Sequence, residues 1–296
     1  MSELRVNNIT NRDGQTGTIV AGIASVTSTS HFVPPSGKTV GRYIEENTIV
    51  TDGLIFYVDA GRQESWDQGN QLGLTTSYWR DLSGNDYSVK VTTLPSYSAS
   101  NGGSLLFDAS SAHRLEIASN PGPLNPANTL TVEVWAKYIG PQPSGTVSFI
   151  CGRGDTAYNG YWIGIAGGDA TNPVINFHVG KNNPDRVTRS IWTSTNNTIY
   201  HWVGTFDGED AVGYENGVVV DSTGEDYSPE FGSNKMQGGE IDSSDTHNFV
   251  IGNIGSSSNA NRYWDGNIYE IRIYDKALTA AEVLQNYNAT KSRYGY

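Results

Sequence analysis

The chain contains little sulfur. Among its 296 residues there are one cysteine, Cys151, and two methionines. A single cysteine excludes an intrachain disulfide. Extracellular modules of this size often carry one or two disulfides, so the scarcity favours assembly in a reducing compartment. We interpret Cys151 itself as a small buried residue of a strand.

Long apolar runs and an excess of positive charge are also lacking. No apolar stretch approaches the roughly 20 residues that span a bilayer. The opening Met-Ser-Glu-Leu-Arg-Val-Asn-Asn contains no apolar core of a secretory signal. The 19 Lys and Arg residues stand against 31 Asp and Glu, which gives a net charge of −12. Because nucleic-acid binding needs clustered Lys and Arg, the sequence predicts neither membrane insertion nor a nucleic-acid partner.

Glycine and aromatic residues are abundant, with Gly 34, Tyr 17 and Trp 7. This composition is typical of a turn-rich all-β protein. In residues 202–222, alternating apolar positions lead first into Asp207-Gly208 and then into Asn216-Gly217. Both dipeptides favour type I′ hairpin turns, whose two central residues need a positive φ. The stretch therefore predicts three antiparallel strands.

Residues 130–138 form the clearest single strand. One face of its pleat carries Leu130, Val132, Val134 and Ala136, and the other carries Thr131, Glu133, Trp135 and Lys137. Such alternation predicts a half-buried strand. Further strands are predicted at residues 52–60, 104–108, 114–117, 147–151, 161–165, 174–179, 249–251 and 269–274. Strands and turns at this spacing indicate a β-sandwich or barrel.

One helix is predicted near the C-terminus. Thr279-Ala280-Ala281-Glu282 fits the capping box, in which Thr and Glu satisfy each other's backbone N–H groups. Val283, Leu284 and Tyr287 supply an apolar face. Because the helix follows the last strand, we expect it to close one end of the sandwich.

Residues 1–48 differ in character from the rest. They combine a short alternating segment with small and β-branched residues, and they include a Pro-Pro-Ser-Gly unit that cannot continue a strand ladder. The apolar residues that we expect to anchor this segment are Leu4, Val6, Ile9, Phe32 and Val33. So few large residues cannot form a core, and the segment should be ordered by the sandwich, by its own copies or by a partner. We therefore divide the chain into residues 1–48 and a sandwich domain at residues 49–296.

Several pieces of the longer part share a family resemblance. They are the strand at residues 53–60, the turn Trp79-Arg80-Asp81-Leu82-Ser83-Gly84-Asn85, the strand at 130–138, the double-turn stretch and the ending at 264–279. Together they resemble the laminin-G-like, concanavalin-A-like lectin family over roughly residues 52–290. The resemblance implies an all-β fold. Two antiparallel sheets would pack as a jelly-roll sandwich with a short C-terminal helix, preceded by an extended N-terminal β segment.

The N-terminal residues resemble a different family. Residues 3–14, Glu-Leu-Arg-Val-Asn-Asn-Ile-Thr-Asn-Arg-Asp-Gly, look like the opening of many tailed-phage fibre and virion proteins. Residues 30–39 look like a linker that joins such openings to distal domains, notably in phages of marine cyanobacteria. The order of these segments implies a non-enzymatic structural virion protein of a tailed phage: a fibre, tail-associated or capsid-decorating protein.

The virion resemblance also implies partners and a location. The N-terminal segment would bind other virion proteins, and the chain would form a homo-oligomer, with a trimer favoured. The protein would be found in the virion after assembly in the host cytoplasm. The rival interpretation is a carbohydrate-binding module or adhesin that is not part of a virion.

Carbohydrate binding, to a host surface glycan for example, needs aromatic platforms with convergent polar groups. The candidate residues are Tyr158, Tyr161, Trp162, Tyr263 and Trp264. The simpler interpretation of each is packing in the core or at a strand edge, because most Trp and Tyr residues of an aromatic-rich sandwich are buried.

Calcium is the one metal that the sequence suggests. Ca²⁺ takes six to eight oxygen ligands from loops. Asp81, Asn85 and Asp86 lie in one Gly-containing turn, and Asp265 is a further candidate ligand. The favoured alternative is that Asp81 and Ser83 close their own turn through side-chain hydrogen bonds. No other cofactor is predicted.

An enzyme is the third class considered, because the fold also hosts glucanases. Family 16 glycoside hydrolases carry Glu-x-Asp-x-x-Glu on one strand, which places nucleophile and acid about 5 Å apart. Residues 240–245, Glu-Ile-Asp-Ser-Ser-Asp, end in Asp and lie among glycines and serines, which is typical of a solvated loop. The nucleophile motif Gly-x-Ser-x-Gly is absent, and His201 is interpreted as a strand-edge residue. The sequence therefore predicts no enzymatic activity.

Overall fold

The computed structural model describes residues 48–67, 78–91, 93–117, 124–140, 147–154, 159–168, 173–181, 186–192, 195–220, 240–242, 247–254 and 262–296. The proposed anchoring residues Leu4, Val6, Ile9, Phe32 and Val33 lie outside this part of the chain. Their role, the boundary at residue 48 and the homo-oligomer stay predictions.

The described residues form strands that are joined by turns and followed by one α-helix. The strands are β1 (Leu54–Asp59), β2 (Tyr78–Trp79), β3 (Val89–Val91), β4 (Ser96–Ser98), β5 (Ser104–Phe107), β6 (Leu115–Glu116), β7 (Leu130–Tyr138), β8 (Val147–Arg153), β9 (Gly160–Gly168), β10 (Pro173–Gly180), β11 (Arg186–Trp192), β12 (Ile199–Phe206), β13 (Ala211–Glu215), β14 (Val218–Val219), β15 (Val250–Ile251) and β16 (Gly266–Tyr274). The helix α1 spans Ala280–Thr290, and a 3₁₀ turn follows at Lys291–Tyr294. No helix in this part of the chain has the length and apolarity to cross a membrane.

The strands form two sheets. The first sheet has the order β14-β13-β12-β7-β16-β5-β4, with β1 paired to β16 off this path. The second sheet has the order β11-β10-β9-β8-β15-β6-β3-β2. All described strand pairs are antiparallel. The predicted two-sheet jelly-roll sandwich with a short C-terminal helix is therefore confirmed.

The inner faces of the two sheets meet in one apolar core. Trp79, Phe107 and Trp202 are fully buried in it. A Cβ atom on Gly204 of β12 would lie 2.0 Å from Cγ of Phe177 on β10. Glycine at this position therefore lets the two sheets approach to normal packing distance.

The double-turn stretch forms the meander β12–β13–β14. Asn216 and Gly217 have φ values of 52° and 80°, as the predicted type I′ turn requires. The turn at Asp207-Gly208 differs from the prediction. Phe206 pairs with Ala211, which leaves a loop over residues 207–210. The Asp207 carboxylate accepts hydrogen bonds from the N–H groups of residues 209 and 210 and closes this longer loop.

Helix α1 begins as the sequence predicts but packs elsewhere. The Thr279 N–H donates to Oε2 of Glu282 (2.8 Å), and the Glu282 N–H donates to Oγ1 of Thr279 (3.3 Å), so the capping box is complete. The helix covers the outer face of the first sheet and does not close an end of the sandwich. Leu284, expected on its apolar face, is 44% exposed, whereas Asn286 points to the sheet and is buried.

A network of buried polar groups lies between α1 and the first sheet. Glu133 is its centre: its carboxylate accepts from Nη1 of Arg272 (2.6 Å) and Nδ2 of Asn286 (2.6 Å). Nε2 of His201 lies 2.8 Å from the same carboxylate. Burial by itself raises the pKa of Glu133. The effects of Arg272 and His201 outweigh burial, and together they lower the pKa of Glu133 to about 2. His201 is thus a buried residue of an interior strand, and its interpretation as a strand-edge residue was wrong.

Arg293, in the 3₁₀ turn after α1, holds the C-terminal residues on the sheet. Its guanidinium donates to both carboxylate oxygens of Asp59 (2.5 and 2.7 Å) and to Oε1 of Glu270 (2.9 Å). The Tyr294 hydroxyl donates to the same Glu270 oxygen. Both carboxylates are buried, and burial raises the pKa of Glu270.

Candidate functional site

The structure places the aromatic residues predicted to bind carbohydrate in different environments. Tyr158 lies outside the described residues. Tyr161 and Trp264 are fully buried in the core, and the Tyr161 hydroxyl donates to the carbonyl oxygen of Leu124 (2.8 Å). A sugar ring cannot stack on either side chain in this fold. Tyr263 is half-buried beside Trp264.

Trp162 has a different position. Its neighbours in β9 face the core, and Trp162 lies on the outer face of the second sheet, where it packs with Phe149. The Trp162 ring is stacked on His178, with centroids 5.1 Å apart and planes inclined by 14°. Nδ1 of His178 lies 2.8 Å from Oγ1 of Thr188. Trp162 is 6% exposed, so it forms the buried part of this face.

The strand register places one residue from each strand of the second sheet in a single row across this outer face. From β11 to β2 the row consists of Thr188, His178, Trp162, Gly152, Val250, Glu116, Lys90 and Tyr78. We call this set the transverse row. Adjacent strands lie about 4.8 Å apart, so the row extends over roughly 34 Å.

One end of the transverse row is accessible to solvent. The Tyr78 side chain, on the edge strand β2, is 42% exposed, and Lys90 beside it is exposed as well. Glu116 accepts a hydrogen bond from Nη2 of Arg114 at 2.9 Å, and both side chains are about one quarter exposed. We call Tyr78, Lys90, Arg114 and Glu116 the exposed end of the row. It offers a ring, an ammonium group that has no ion-pair partner among the described residues, and a paired carboxylate, all accessible to a ligand.

Sequence reasoning missed the exposed end, although alternation was visible in the strands on either side. In β2, β3 and β6 the residue facing the core (Trp79, Val89 or Leu115) is next to the one facing out. β2 and β3 are two and three residues long, too short for a period to be recognised, whereas β6 lies within the strand that was predicted at residues 114–117. Their pairing with each other is not encoded in any local pattern.

The turn predicted to bind calcium is closed by its own hydrogen bonds. Oδ1 of Asp81 accepts from the N–H groups of Tyr57 and Ser83 (both 2.9 Å). Oδ2 accepts from the Ser83 hydroxyl (2.8 Å) and the Tyr87 N–H (3.0 Å). Nδ2 of Asn85 donates to the carbonyl oxygen of Ile55 (3.1 Å). The alternative that Asp81 closes its own turn therefore matches the geometry.

The remaining candidate ligands do not join Asp81. Asp86 has a φ of 61° in the same turn and is exposed. Asp81 lies beside Tyr57, which pairs with Arg272 of β16. Asp265 precedes β16, and the seven residues of extended chain from Asp265 to Arg272 span roughly 23 Å. Burial and the charge of Asp108 raise the pKa of Asp265. Within the described residues, no three His, Cys, Asp or Glu side chains are arranged to hold a metal ion, and calcium binding stays a prediction.

Glu240 is the first carboxylate of the near-match to the glucanase motif, and the structure describes its surroundings. Glu240 is exposed and its Oε2 accepts from Nζ of Lys181 at 2.6 Å. This hydrogen bond and the lysine charge lower the pKa of Glu240. A general acid needs the opposite shift. Residues 243–245 of the motif lie outside the described residues.

The two packed antiparallel sheets define the chain as a lectin-like β-sandwich. Residues 111–284 match the family described as the concanavalin A-like lectin/glucanases superfamily, Laminin_G_3. The match covers more than half of the sequence, and the chain therefore belongs to this family. No curated protein sequence matches it.

Solved structures share the fold at low sequence identity. The binding domain of Paraclostridial Mosquitocidal Protein 1 aligns with a TM-score of 0.56 and 15% identity over 81% of this chain and 52% of that one. The binding domain of botulinum neurotoxin DC, in complex with rat synaptotagmin II, aligns with a TM-score of 0.51 and 13% identity over 81% of this chain and 52% of that one. The chain thus spans about half the length of these domains.

A third similar structure is matched over almost its whole length. It is domain 4 of AbnA, a GH43 extracellular arabinanase from Geobacillus stearothermophilus, in complex with arabinotriose. It aligns with a TM-score of 0.52 and 17% identity over 79% of this chain and 97% of that domain.

Proposed function

We propose that the sandwich is a non-enzymatic adhesion domain that binds a glycan at the exposed end of the transverse row. The observation that carries this proposal is the strand register, which gathers Tyr78, Lys90 and Glu116 on one accessible face. Glycan sites combine an aromatic platform with a few polar groups, and this end of the row has both. The rest of the row, from Val250 to His178, is buried.

A binding role fits this face better than hydrolysis. Retaining and inverting glycosidases both use a pair of carboxyl groups, one of which has a raised pKa. The transverse row carries a single carboxylate, Glu116, and Arg114 is hydrogen-bonded to it. Two of the similar structures are binding domains, and a third was solved with an arabinose trisaccharide. These descriptions support binding as the function of the fold.

We further propose that the domain is displayed on a tailed-phage particle. The support is the order of segments in the sequence: a phage-like opening, a Pro-Pro-Ser-Gly linker and then a sandwich with its own core. In this proposal residues 1–48 dock the chain to other virion proteins, and the sandwich is exposed on the particle.

A glycan array probed with the full chain tests the binding proposal. We expect retention of at least one polysaccharide, and we expect Tyr78→Ala to abolish it, because the alanine removes the stacking surface. Leu284→Ala is the matched control, since Leu284 is equally exposed but lies on α1. Failure to bind any glycan, or equal loss in both variants, would contradict the proposal. Substitution of Trp264 is unsuitable, because that residue belongs to the core.

Particle assembly tests the display proposal separately. A chain that lacks residues 1–48 should fold but should be absent from purified particles. Its incorporation at the normal copy number would contradict the docking role. Glycan binding by a protein that never enters particles would favour the adhesin that is not part of a virion.

A further inference from the structure

The exposed end of the row has a distinctive charge arrangement. The Arg114 guanidinium and the Glu116 carboxylate are 2.9 Å apart and neutralise each other. Lys90, directly opposite Glu116 in the register, has no ion-pair partner among the described residues. The exposed end therefore carries one net positive charge on a chain whose total is −12.

The tyrosine next to this charge, Tyr78, is also accessible to a ligand. Tyr78 is paired with Lys90, so their Cα atoms are about 5 Å apart and both side chains point away from the core. Within the described part of the chain, the Tyr78 ring makes no ring contact. Its face and the Lys90 ammonium thus border the same patch of solvent.

We propose that the exposed end selects an acidic polysaccharide. A sugar ring would stack on Tyr78 while its carboxylate or sulfate group accepts hydrogen bonds from the Lys90 ammonium. Glu116 would accept hydrogen bonds from neighbouring hydroxyl groups of the ligand. The inference rests on the proposed glycan-binding function and specifies the chemical class of its ligand.

The negative charge of the whole chain does not oppose such binding in physiological salt. The Debye length there is about 8 Å, so carboxylates elsewhere on the surface are largely screened. Lys90 acts at contact distance, where screening is weak. An anionic group on the ligand therefore interacts chiefly with the charges of the exposed end.

Binding of the full chain to immobilised polysaccharides of matched backbone tests the inference. One pair is dextran sulfate and dextran, and the other is polygalacturonate and its methyl ester. We expect the acidic member of at least one pair to bind in 0.15 M salt and its neutral partner to bind at least about tenfold more weakly. The two pairs distinguish sulfate from carboxylate as the recognised group.

Charge variants locate the effect. Lys90→Gln should weaken binding of the acidic polysaccharide about two- to fivefold, the effect of one exposed charge pair. Lys90→Arg keeps the charge and should bind nearly as well as the parent. Lys137→Gln is the matched control, since it removes an equal charge from β7 of the first sheet and should have no effect. The loss in Lys90→Gln should shrink in 1 M salt, where the Debye length is about 3 Å.

Several outcomes would overturn the inference. Equal binding of the acidic and neutral members of both pairs would exclude charge selection and leave the proposed adhesion function standing. Equal loss in Lys90→Gln and Lys137→Gln would show that the effect comes from net charge and not from the exposed end. Absence of binding to every glycan on the array contradicts the proposed function as well.

Discussion

Glu133 shows at the scale of a single residue where sequence patterns stop being informative. The alternation in residues 130–138 assigns it to the polar face of a half-buried strand. In the structure both faces of this strand are buried, because α1 covers the outer one. Its carboxylate is retained there by Arg272, His201 and Asn286. None of these partners is close to Glu133 in sequence, so alternation alone could not reveal them.

Replacement of this carboxylate should reduce stability in a pH-dependent way. The pKa of Glu133 is lowered from 4.5 to about 2 in the folded chain. Its stabilising contribution is thus complete above pH 4.5 and is lost as the pH falls through about 2. We expect Glu133→Gln to lower the free energy of unfolding by about 3 kcal/mol at pH 7 and by less than half of that at pH 3.

Urea unfolding of the parent and the variant at pH 7, 5 and 3 measures this dependence. Glu240→Gln is the control, because that carboxylate is exposed and its removal should matter little at any of these pH values. A difference between the parent and Glu133→Gln that stays constant from pH 7 to pH 3 would refute the assignment.

Among the elements, the C-terminal helix depends most on contacts that are distant in sequence. The capping box gives α1 a defined start, and Trp135 stacks on Tyr294 with centroids 4.2 Å apart. Arg293 bridges Asp59 and Glu270 across β1 and β16. The attachment of α1 to the sheet therefore relies more on the 3₁₀ turn that follows the helix than on its N-terminal cap.

Two substitutions compare these contributions. Arg293→Ala takes the ion-pair partner of the buried Asp59 away, while Glu270 keeps Arg272, and it should cost about 3 kcal/mol. Thr279→Ala removes the cap and should cost about 1 kcal/mol. Thermal unfolding of both variants gives the comparison. If Thr279→Ala proved the more destabilising of the two, the helix would be held chiefly by its first turn.

The sequence predicted most of the strands but not β2, β3, β4 or β11. β1, β7, β10, β12 and β16 lie where apolar runs or alternation predict strands. The sequence predicts no strand between residues 179 and 202, yet β11 begins at Arg186 and pairs with β10. β2, β3 and β4 have no distinct pattern and exist because neighbouring strands offer them backbone partners. The candidate site lies on β2, β3 and β6. It could not be predicted because only β6 has a recognisable pattern and nothing local in the sequence pairs it with β3 and β2.

At the scale of the whole molecule, two hydrogen bonds attach the start of the described chain to α1. The Val50 N–H donates to Oδ1 of the buried Asn286 at 2.7 Å. Nε2 of Gln285 donates to the carbonyl oxygen of Thr48 at 2.7 Å. The chain thus joins the domain alongside α1. Of these two hydrogen bonds, removal of residues 1–48 eliminates only the exposed one to Thr48.

Truncation separates folding from assembly. We expect residues 49–296 to keep the β-rich circular dichroism spectrum of the full chain and to be monomeric. We expect the full chain to be a trimer, because N-terminal residues that cannot form a core gain most from burial by their own copies. Light scattering coupled to gel filtration at micromolar concentration gives both masses. A monomeric full chain would contradict the expected trimer, and an unfolded truncation would contradict the independence of the sandwich.

The position of Thr48 also gives the domain a front and a back. The chain enters beside Gln285, on the helix that covers the first sheet, while the transverse row crosses the outer face of the second sheet. Two sheets packed about 10 Å apart lie between the layer of α1, where Thr48 is, and the face that carries Tyr78 and Lys90. A carrier attached directly at Thr48 would therefore contact the side of the domain opposite the transverse row.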